Sequence, residues 1–458
     1  MNSYSFKREI PVEDGYDVVV AGGGPGGCAA ALSAARAGAR VLLVESLGCL
    51  GGMGTNGLVL QWAPFLRDNE RIIGGIPLEI YRMLDERGYA FQPRPDPLPV
   101  ANFVSIHPEG LKLVLDEMLA KANVEVRFFT HAVDVDKDPE RFFVKGIVIH
   151  NIEGFRYIKA KMFIDATGDA SLVKQCGAEC FEPDVAMAPT LCAVVDGVDW
   201  DKMDLDCCGL IMGQREVVSK AVDDGFFSQP DRHVPGIFRS FGHTGAMNAG
   251  HVFRLNSLNC RSLSDGMVKG RLQVQEYIRF FKTYFKEYSD ITLSYTAPLM
   301  GVRDSRRIRG EYWLTIDDYR GKRHFPDQIA TNSQRIDFHV RDASPEEYKR
   351  FSNTFFNSPH PFQAGEYYGV PYGTLVPKGA QNLWVAGRTL SCDTYVYASM
   401  RGQLLCMLYG QAAGTAAAQA VATGQTACNL DTKALIESLK AQKCILPQSE
   451  LSAEMSRN

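Results

Sequence analysis

An unbroken apolar run opens the informative part of the chain. Asp17-Val-Val-Val-Ala21 reads as a short buried strand, and Gly22-Gly-Gly-Pro-Gly-Gly27 follows it at once. The small apolar residues from Cys28 to Ala37 then predict a helix that Gly38 stops, and Val41-Leu-Leu-Val44 predicts a second buried strand ending at Glu45. Further on, Leu111, Val114, Leu115, Met118 and Leu119 share one face of a predicted helix over 110–122. Three strand-like runs come next, Val124–Val135, Phe142–His150 and Phe155–Ile164, and they lead into Asp165-Ala-Thr-Gly-Asp169. From about 180 to 375 the chain is richer in aromatics and polar turns, without helix–strand alternation, which predicts a separate β-rich domain with a helix near Gln273–Tyr288. Asn382-Leu-Trp-Val-Ala-Gly-Arg388 is again a short strand ending in glycine, and an uncharged helix follows it.

The order strand, glycine turn, helix, strand, acid is that of the first βαβ unit of a dinucleotide-binding fold. Gly22 permits the tight turn, Gly24 lets the backbone approach a pyrophosphate, and Gly27 lets helix and strand pack closely. The helix start offers free N–H groups and a positive dipole end to phosphate. Glu45 lies eighteen residues beyond Gly27, near the spacing at which a carboxylate accepts from a ribose hydroxyl. A lone glycine motif is weak evidence; here each neighbouring element appears in order.

Composition adds exclusions. With 458 residues, 45% hydrophobic and 22% charged, the chain has the make-up of a globular enzyme of two or three domains. A net charge of −4 offers no case for nucleic acid or an anionic membrane as partner. Twelve scattered Cys and no apolar leader in Met1–Gly15 predict reduced thiols in a cytoplasmic protein. Gly402–Leu430 carries no charge and is long enough to span a bilayer. However, Gln403, Gln411 and Gln419 interrupt it, and Ala and Gly outnumber large apolar residues. The Gly410/Gly414 spacing also occurs in membrane helix dimers; the expectation here is a helix buried inside protein, with no membrane span.

Together these residues resemble FAD-dependent oxidoreductases with a glutathione-reductase-like FAD domain, over most of the chain. The landmarks are the N-terminal βαβ, Ala166-Thr-Gly-Asp169, and Val385-Ala-Gly-Arg388. Gly51-Gly-Met-Gly-Thr55, Gly301-Val-Arg-Asp-Ser-Arg-Arg307, Ile336-Asp-Phe-His339 and Val376-Pro-Lys-Gly379 look closer still to a bacterial group of FAD-dependent oxidoreductases. That group is related to succinate dehydrogenase and fumarate reductase flavoproteins and, more distantly, to thiazole synthases. The resemblance implies an α/β fold: a discontinuous Rossmann-like FAD-binding domain with an inserted β-rich α+β substrate domain. Its expected divisions are 14–180 and 376–430 for FAD, 181–375 for substrate, and 431–458 as a C-terminal helix and tail.

The resemblance also implies a non-covalent FAD site. Gly22, Gly24, Pro25, Gly26 and Gly27 would hold the pyrophosphate, with Glu45 and Ser46 at the adenosine ribose. Gly51, Gly52, Met53 and Thr55 would lie along the ribityl chain and flavin. Val133 would meet adenine through its backbone, while Ala166, Gly168 and Asp169 close over the adenosine half. Gly387, Arg388, Arg401, Gly402 and Gln403 would approach the ribityl and the pyrimidine end of the ring, where a helix N-terminus stabilises negative charge. There is no second G-x-G-x-x-G for an internal NAD(P)H domain, and Cys49 has no redox partner in the next forty residues.

Flavin accepts hydride; the protein supplies a base, and His is the commonest choice near neutral pH. Of nine His, His339 matches a family motif, and Asp337 two residues earlier would share its face on a strand and orient it. A structural hydrogen-bond network is the alternative for that pair, and His243 and His251 are alternate bases. Arg303 and Arg307, in a cluster with Arg306 and Arg309, would anchor a substrate carboxylate or steady the flavin, or else form a salt-bridge network with Asp304 and Glu311. No Cys/His spacing fits a zinc site, so no metal is expected. The leading expectation is oxidation of a small polar metabolite (sugar, polyol or hydroxy acid), with oxygen, a quinone or a carrier as external electron acceptor. Reduction of an activated C=C with an Arg as proton donor, and a non-redox role for FAD, are the alternatives. The oligomeric state stays open.

Overall fold

The computed structural model describes residues 4–447 apart from 6, 64, 68–69, 92–103, 201–214, 235, 354–359 and 364. Three elements form in the predicted order: β1 (Val12–Ala21), α1 (Pro25–Arg36) and β2 (Val41–Val44). Val18, Val19, Val20 and the whole of β2 are buried, as strands of a parallel sheet covered on both faces must be. The helix starts three residues earlier than the Ala-rich run suggests. Gly24 is its N-cap and Pro25 its first residue, where a missing N–H costs nothing.

β1 lies between β2 (Val18↔Val41 to Ala21↔Val44) and the long strand Gly154–Asp165 (Val18↔Met162 to Ala21↔Asp165), parallel to both. Glu125–Arg127 extends the sheet beyond β2, and the antiparallel strands Val144–Asn151 and His131–Lys137 extend it on the other side. The seventh strand, Leu383–Val385, returns from far along the chain to pair in parallel with Phe163–Asp165. Pro108–Lys121, capped by His107, is the predicted amphipathic helix, and its five apolar residues are all buried.

The middle of the chain builds a four-stranded antiparallel sheet, in the order Gly236–Arg239, Gly245–Asn248, Ala193–Asp196, Thr292–Thr296. The helix beside it runs from Cys260 to Tyr284, starting well before Gln273. Its first turns expose Val268 and Leu272, so the apolar stripe is legible only in the second half, where Val274, Tyr277, Phe280 and Phe281 pack on Val195, Ile237 and Met247. The uncharged segment forms the helix Gln403–Thr423, buried on nearly all sides against α1. Among the described residues, no helix is long and apolar enough to cross a membrane.

Candidate functional site

A cavity of about 1270 Å³ opens where β1 and β2 end, at Ala21 and Val44. Ligands in open α/β sheets lie beyond the carboxyl ends of the strands for this reason: the turns there aim N–H groups outward. From the first βαβ unit the lining includes Gly22, Gly24, Pro25, Gly26, Glu45 and Ser46, and from the second glycine cluster Gly52 and Met53. Ala166, Gly168 and Asp169 line it after the long strand, Gly387 and Arg388 after the returning strand, and Arg401, Gly402 and Gln403 at the start of the last long helix. Segments up to about 380 residues apart in sequence thus meet around one space.

Local chemistry explains how these turns hold their shape. Glu45 accepts from Gly23 N (2.6 Å) and Leu47 N (2.8 Å), tying the acid to the glycine turn. Asp165, fully buried at the end of its strand, accepts from Thr167 Oγ1 (2.7 Å) and Val173 N (3.1 Å) and so folds the Ala166–Asp169 turn. Arg388 pairs with Asp169 at 3.0 Å, joining the two later segments.

Four expected cofactor residues stand outside the lining. Gly27 packs under the turn, where a Cβ would stand 1.8 Å from Gly22 O. Gly51 N donates to Gly23 O (2.8 Å) and Thr55 Oγ1 to Leu50 O (2.6 Å), so both brace the second glycine cluster. Val133 is passed over by a register shift: Val148 pairs with Asp134 and Ile149 with Ala132, leaving Val133 as the extra residue of a bulge. Its neighbours His131 and Ala132 line the cavity instead.

The chain's residues fit FAD on two observations. A Cβ on Gly24 would meet nothing within 4 Å, so that backbone faces open space where the pyrophosphate would lie. Several buried polar atoms of lining residues have no hydrogen-bond partner among the described residues: Gln403 Oε1, Ser333 Oγ, Arg388 Nε and Arg401 Nε. The volume exceeds the ~300–1,000 Å³ of ordinary small-molecule sites, which leaves room for a substrate beside a dinucleotide.

The other end of the cavity is ionic. Arg303, Asp337, His339 and His233 line it. Residues 333–340 form no strand, so the expected strand geometry of Asp337 and His339 does not hold. The two side chains nevertheless meet, Asp337 Oδ1 to His339 Nε2 at 3.3 Å, and Arg401 fixes the carboxylate there by binding Asp337 Oδ2 at 2.7 Å. Burial alone would raise the Asp337 pKa; His339, Arg401 and Arg303 outweigh it and hold the carboxylate well below its usual range. Burial and the nearby Arg303 push the His339 pKa well below its ordinary value, so the imidazole is neutral.

Arg303 donates to Ala188 O (2.9 Å) and Thr190 Oγ1 (2.8 Å) and forms no ion pair among the described residues; burial and Arg401 lower its pKa to about 10. Arg307 stands apart from the cavity lining. It is fully buried, paired with Asp304 at 3.0 Å and held between the rings of Phe181 and Tyr397. His243 contacts Val198 O and also lies outside the lining, whereas His251 sits directly behind His339. Asp231 and His233, which join this cluster, carry no local sequence signal.

A 47-residue stretch is 53% identical to dihydrolipoyl dehydrogenase of Trypanosoma brucei brucei, a match spanning only 10% of either chain. Among solved structures, the chain is similar to a geranylgeranyl bacteriochlorophyll reductase-like protein of Thermoplasma acidophilum, at 14% identity and a TM-score of 0.46 over 94% of this chain and 83% of that one. It is also similar to p-nitrophenol 4-monooxygenase of Pseudomonas putida, at 17% identity and a TM-score of 0.41 over 63% and 67% of the two chains. The family model described as FAD dependent oxidoreductase matches residues 17–439, from β1 into the last described helix, Thr432–Ala441; the chain therefore belongs to that family, and is an oxidoreductase with FAD as its cofactor.

Proposed function

We propose that the protein oxidises the carbinol carbon of a small polar metabolite, and that this metabolite is a 2-hydroxy acid, preferred over a sugar or polyol. The observation that carries this reading is Arg303, a buried guanidinium on the cavity wall that hydrogen-bonds only Ala188 O and Thr190 Oγ1 and forms no close ion pair among the described residues, Asp337 and Asp231 acting on it from longer range. A buried guanidinium with no carboxylate in direct contact gains most from one that binds it at close range, and a substrate carboxylate would do so in bidentate geometry.

When bound, FAD supplies the acceptor for the hydride. A hydride leaves a carbinol carbon readily only as the hydroxyl proton departs, so a base must stand within reach of that oxygen. His339 opens on the same cavity and, being neutral, has a lone pair to offer. Arg303 is the strongest charge depressing its basicity. A carboxylate paired with Arg303 would cancel that charge and raise the basicity of His339 at the moment the substrate binds. Arg401 holds Asp337 beside the imidazole, ready to accept from the N–H that proton uptake creates at Nε2. The reading also needs an external electron acceptor, and oxygen, a quinone or a carrier would each serve.

An anaerobic screen tests this reading: the purified yellow protein is mixed with 2-hydroxy acids and with matched polyols and sugars. Bleaching by hydroxy acids alone supports it; equal bleaching by polyols removes the role of Arg303, and no bleaching by any carbinol sinks the oxidation. The lowered pKa of Arg303 favours one second reading, in which it donates a proton to an activated C=C bond. Dithionite-reduced protein would then be reoxidised anaerobically by an unsaturated carboxylate.

A further inference from the structure

Asp231 is buried and accepts three hydrogen bonds. His233 N (2.9 Å) and the Tyr348 hydroxyl (2.8 Å) donate to Oδ1, and His251 Nδ1 lies 2.9 Å from Oδ2. Burial opposes its charge, but His251 and these donors outweigh burial and keep it ionised. An ionised carboxylate only accepts, so the proton of that third bond belongs to His251 Nδ1. The other ring nitrogen of His251, Nε2, faces His339 Nδ1 at 2.9 Å. The contact is a hydrogen bond only if one proton lies in it, and a relay toward Asp231 needs that proton on His339 Nδ1. The lone pair of His339 is thereby left on Nε2, 3.3 Å from Asp337 Oδ1. This is the longest contact of the chain, Arg401 already satisfies the other oxygen of Asp337, and a proton arriving at Nε2 completes a hydrogen bond to Oδ1.

We propose that Asp231 and His251 are positioning residues that set His339 with a bare Nε2 and then take over its charge, so that Asp231, His251 and His339 form a directed proton relay. The inference rests on the reading of His339 as the base. As an N–H bond forms at His339 Nε2 with the substrate's hydroxyl proton, the Nδ1–H bond of His339 breaks and its proton bonds to His251 Nε2. One proton enters, two move, and the imidazolium comes to rest on His251. Geometry favours that position: Asp231 Oδ2 lies 2.9 Å from His251 Nδ1, whereas Asp337 lies 3.3 Å from His339 Nε2 and is already paired with Arg401. The other groups facing the pair are His233, Tyr348, Tyr277, Asp337 and Arg401, with Arg350 on the His339 carbonyl.

Ring nitrogens of His233, His251 and His339 lie within 4.8 Å of one another, which raises a metal ion as the competing occupant. The charges favour a proton: the guanidiniums of Arg303 and Arg401 stand beside the same cluster and oppose a divalent cation there. The 2.9 Å between His251 and His339 also falls short of the ~3.3 Å that separates two nitrogens bound tetrahedrally to one zinc ion.

Nitrogen-15 NMR of histidine-labelled, FAD-loaded protein tests the relay, with His251→Gln and His339→Gln assigning the signals. Expected are two Nδ1–H imidazoles and a scalar coupling across the N–H···N bond, which His251→Gln abolishes. Asp231→Asn should reverse the tautomer of His339 while FAD stays bound, an effect a purely structural role would not produce; if that variant does not fold, the wild-type tautomers decide the matter. His339 found as the Nε2–H tautomer overturns the relay. A divalent metal at one per chain, whose removal by chelator shifts the ring signals, overturns it in favour of a metal centre. These spectra are independent of substrate: wrong tautomers beside bleaching by hydroxy acids sink the relay alone, and correct tautomers without bleaching sink only the oxidation.

Discussion

Gly410 and Gly26 touch backbone to backbone: a Cβ on Gly410 would stand 2.0 Å from the carbonyl oxygen of Gly26. One turn further on, Gly414 meets Ala30 O in the same way at 2.1 Å. Gly26 is pressed from its other side as well, where its own Cβ would meet Gly387 N at 2.7 Å. The last long helix therefore sets the position of α1, and with it the glycine turn. Gly410→Val should destabilise the protein by about 1–3 kcal/mol or more and lower FAD content together with stability. Thermal melting and flavin absorbance on the same samples check this; an unchanged melting temperature would show that the helices can part freely.

Gly24 and Gly27 separate cofactor contact from packing. Gly24→Val places a branched side chain in open space, so the protein should fold normally and be isolated without flavin. Gly27→Val drives a side chain into Gly22 O and should fail to fold. Circular dichroism and flavin content distinguish the two, and full flavin content in Gly24→Val contradicts the pyrophosphate placement.

His339→Ala should retain FAD but slow flavin reduction by ~10²- to 10⁴-fold, the range for a lost acid–base group. Arg303→Met should instead act on substrate affinity. Losing a charge-assisted bond of ~1.5–3 kcal/mol raises KM for a hydroxy acid by about 10- to 150-fold. Stopped-flow reduction under anaerobic conditions reads both, and equal effects of the two variants on kcat and KM would deny them separate roles.

FAD should be non-covalent. The cavity-lining thiols Cys192 and Cys406 are raised by burial to about 11 and about 12, so neither is a thiolate at neutral pH. Cys49 lies outside the lining. Acid precipitation should release the yellow colour into the supernatant; colour kept in the pellet contradicts this.

Glu347 links stability to acid. Burial would raise its pKa, but Arg341 and Arg350 outweigh burial and lower it to about 2. Its unfolded value is about 4.3, so its contribution is complete above that pH and is lost progressively as pH falls toward 2. The melting-temperature difference between wild type and Glu347→Gln should therefore shrink across that window; a constant difference rules the linkage out.

The sequence by itself determined the elements whose logic is local. Strand, glycine turn, Ala-rich helix, strand and Glu45 are legible because burial on both faces demands unbroken apolar runs, and close backbone approach demands glycine at fixed spacing. The uncharged helix Gln403–Thr423 was legible as buried for the same reason, although nothing local named α1 as its neighbour. Only the tertiary structure decided what depends on distant segments. Arg303 and Arg307 look alike in sequence; one reaches the cavity wall beside Thr190, and the other is locked between Phe181 and Tyr397. Val133 keeps strand character yet loses its place to a bulge of a single residue. Asp231, His251 and His339 are spread over more than a hundred residues, and no periodicity connects them. Hydrogen bonds act over about 3 Å in space whatever the separation along the chain, so their alignment exists only once the loops flanking the four-stranded sheet and the segment 333–340 have packed together.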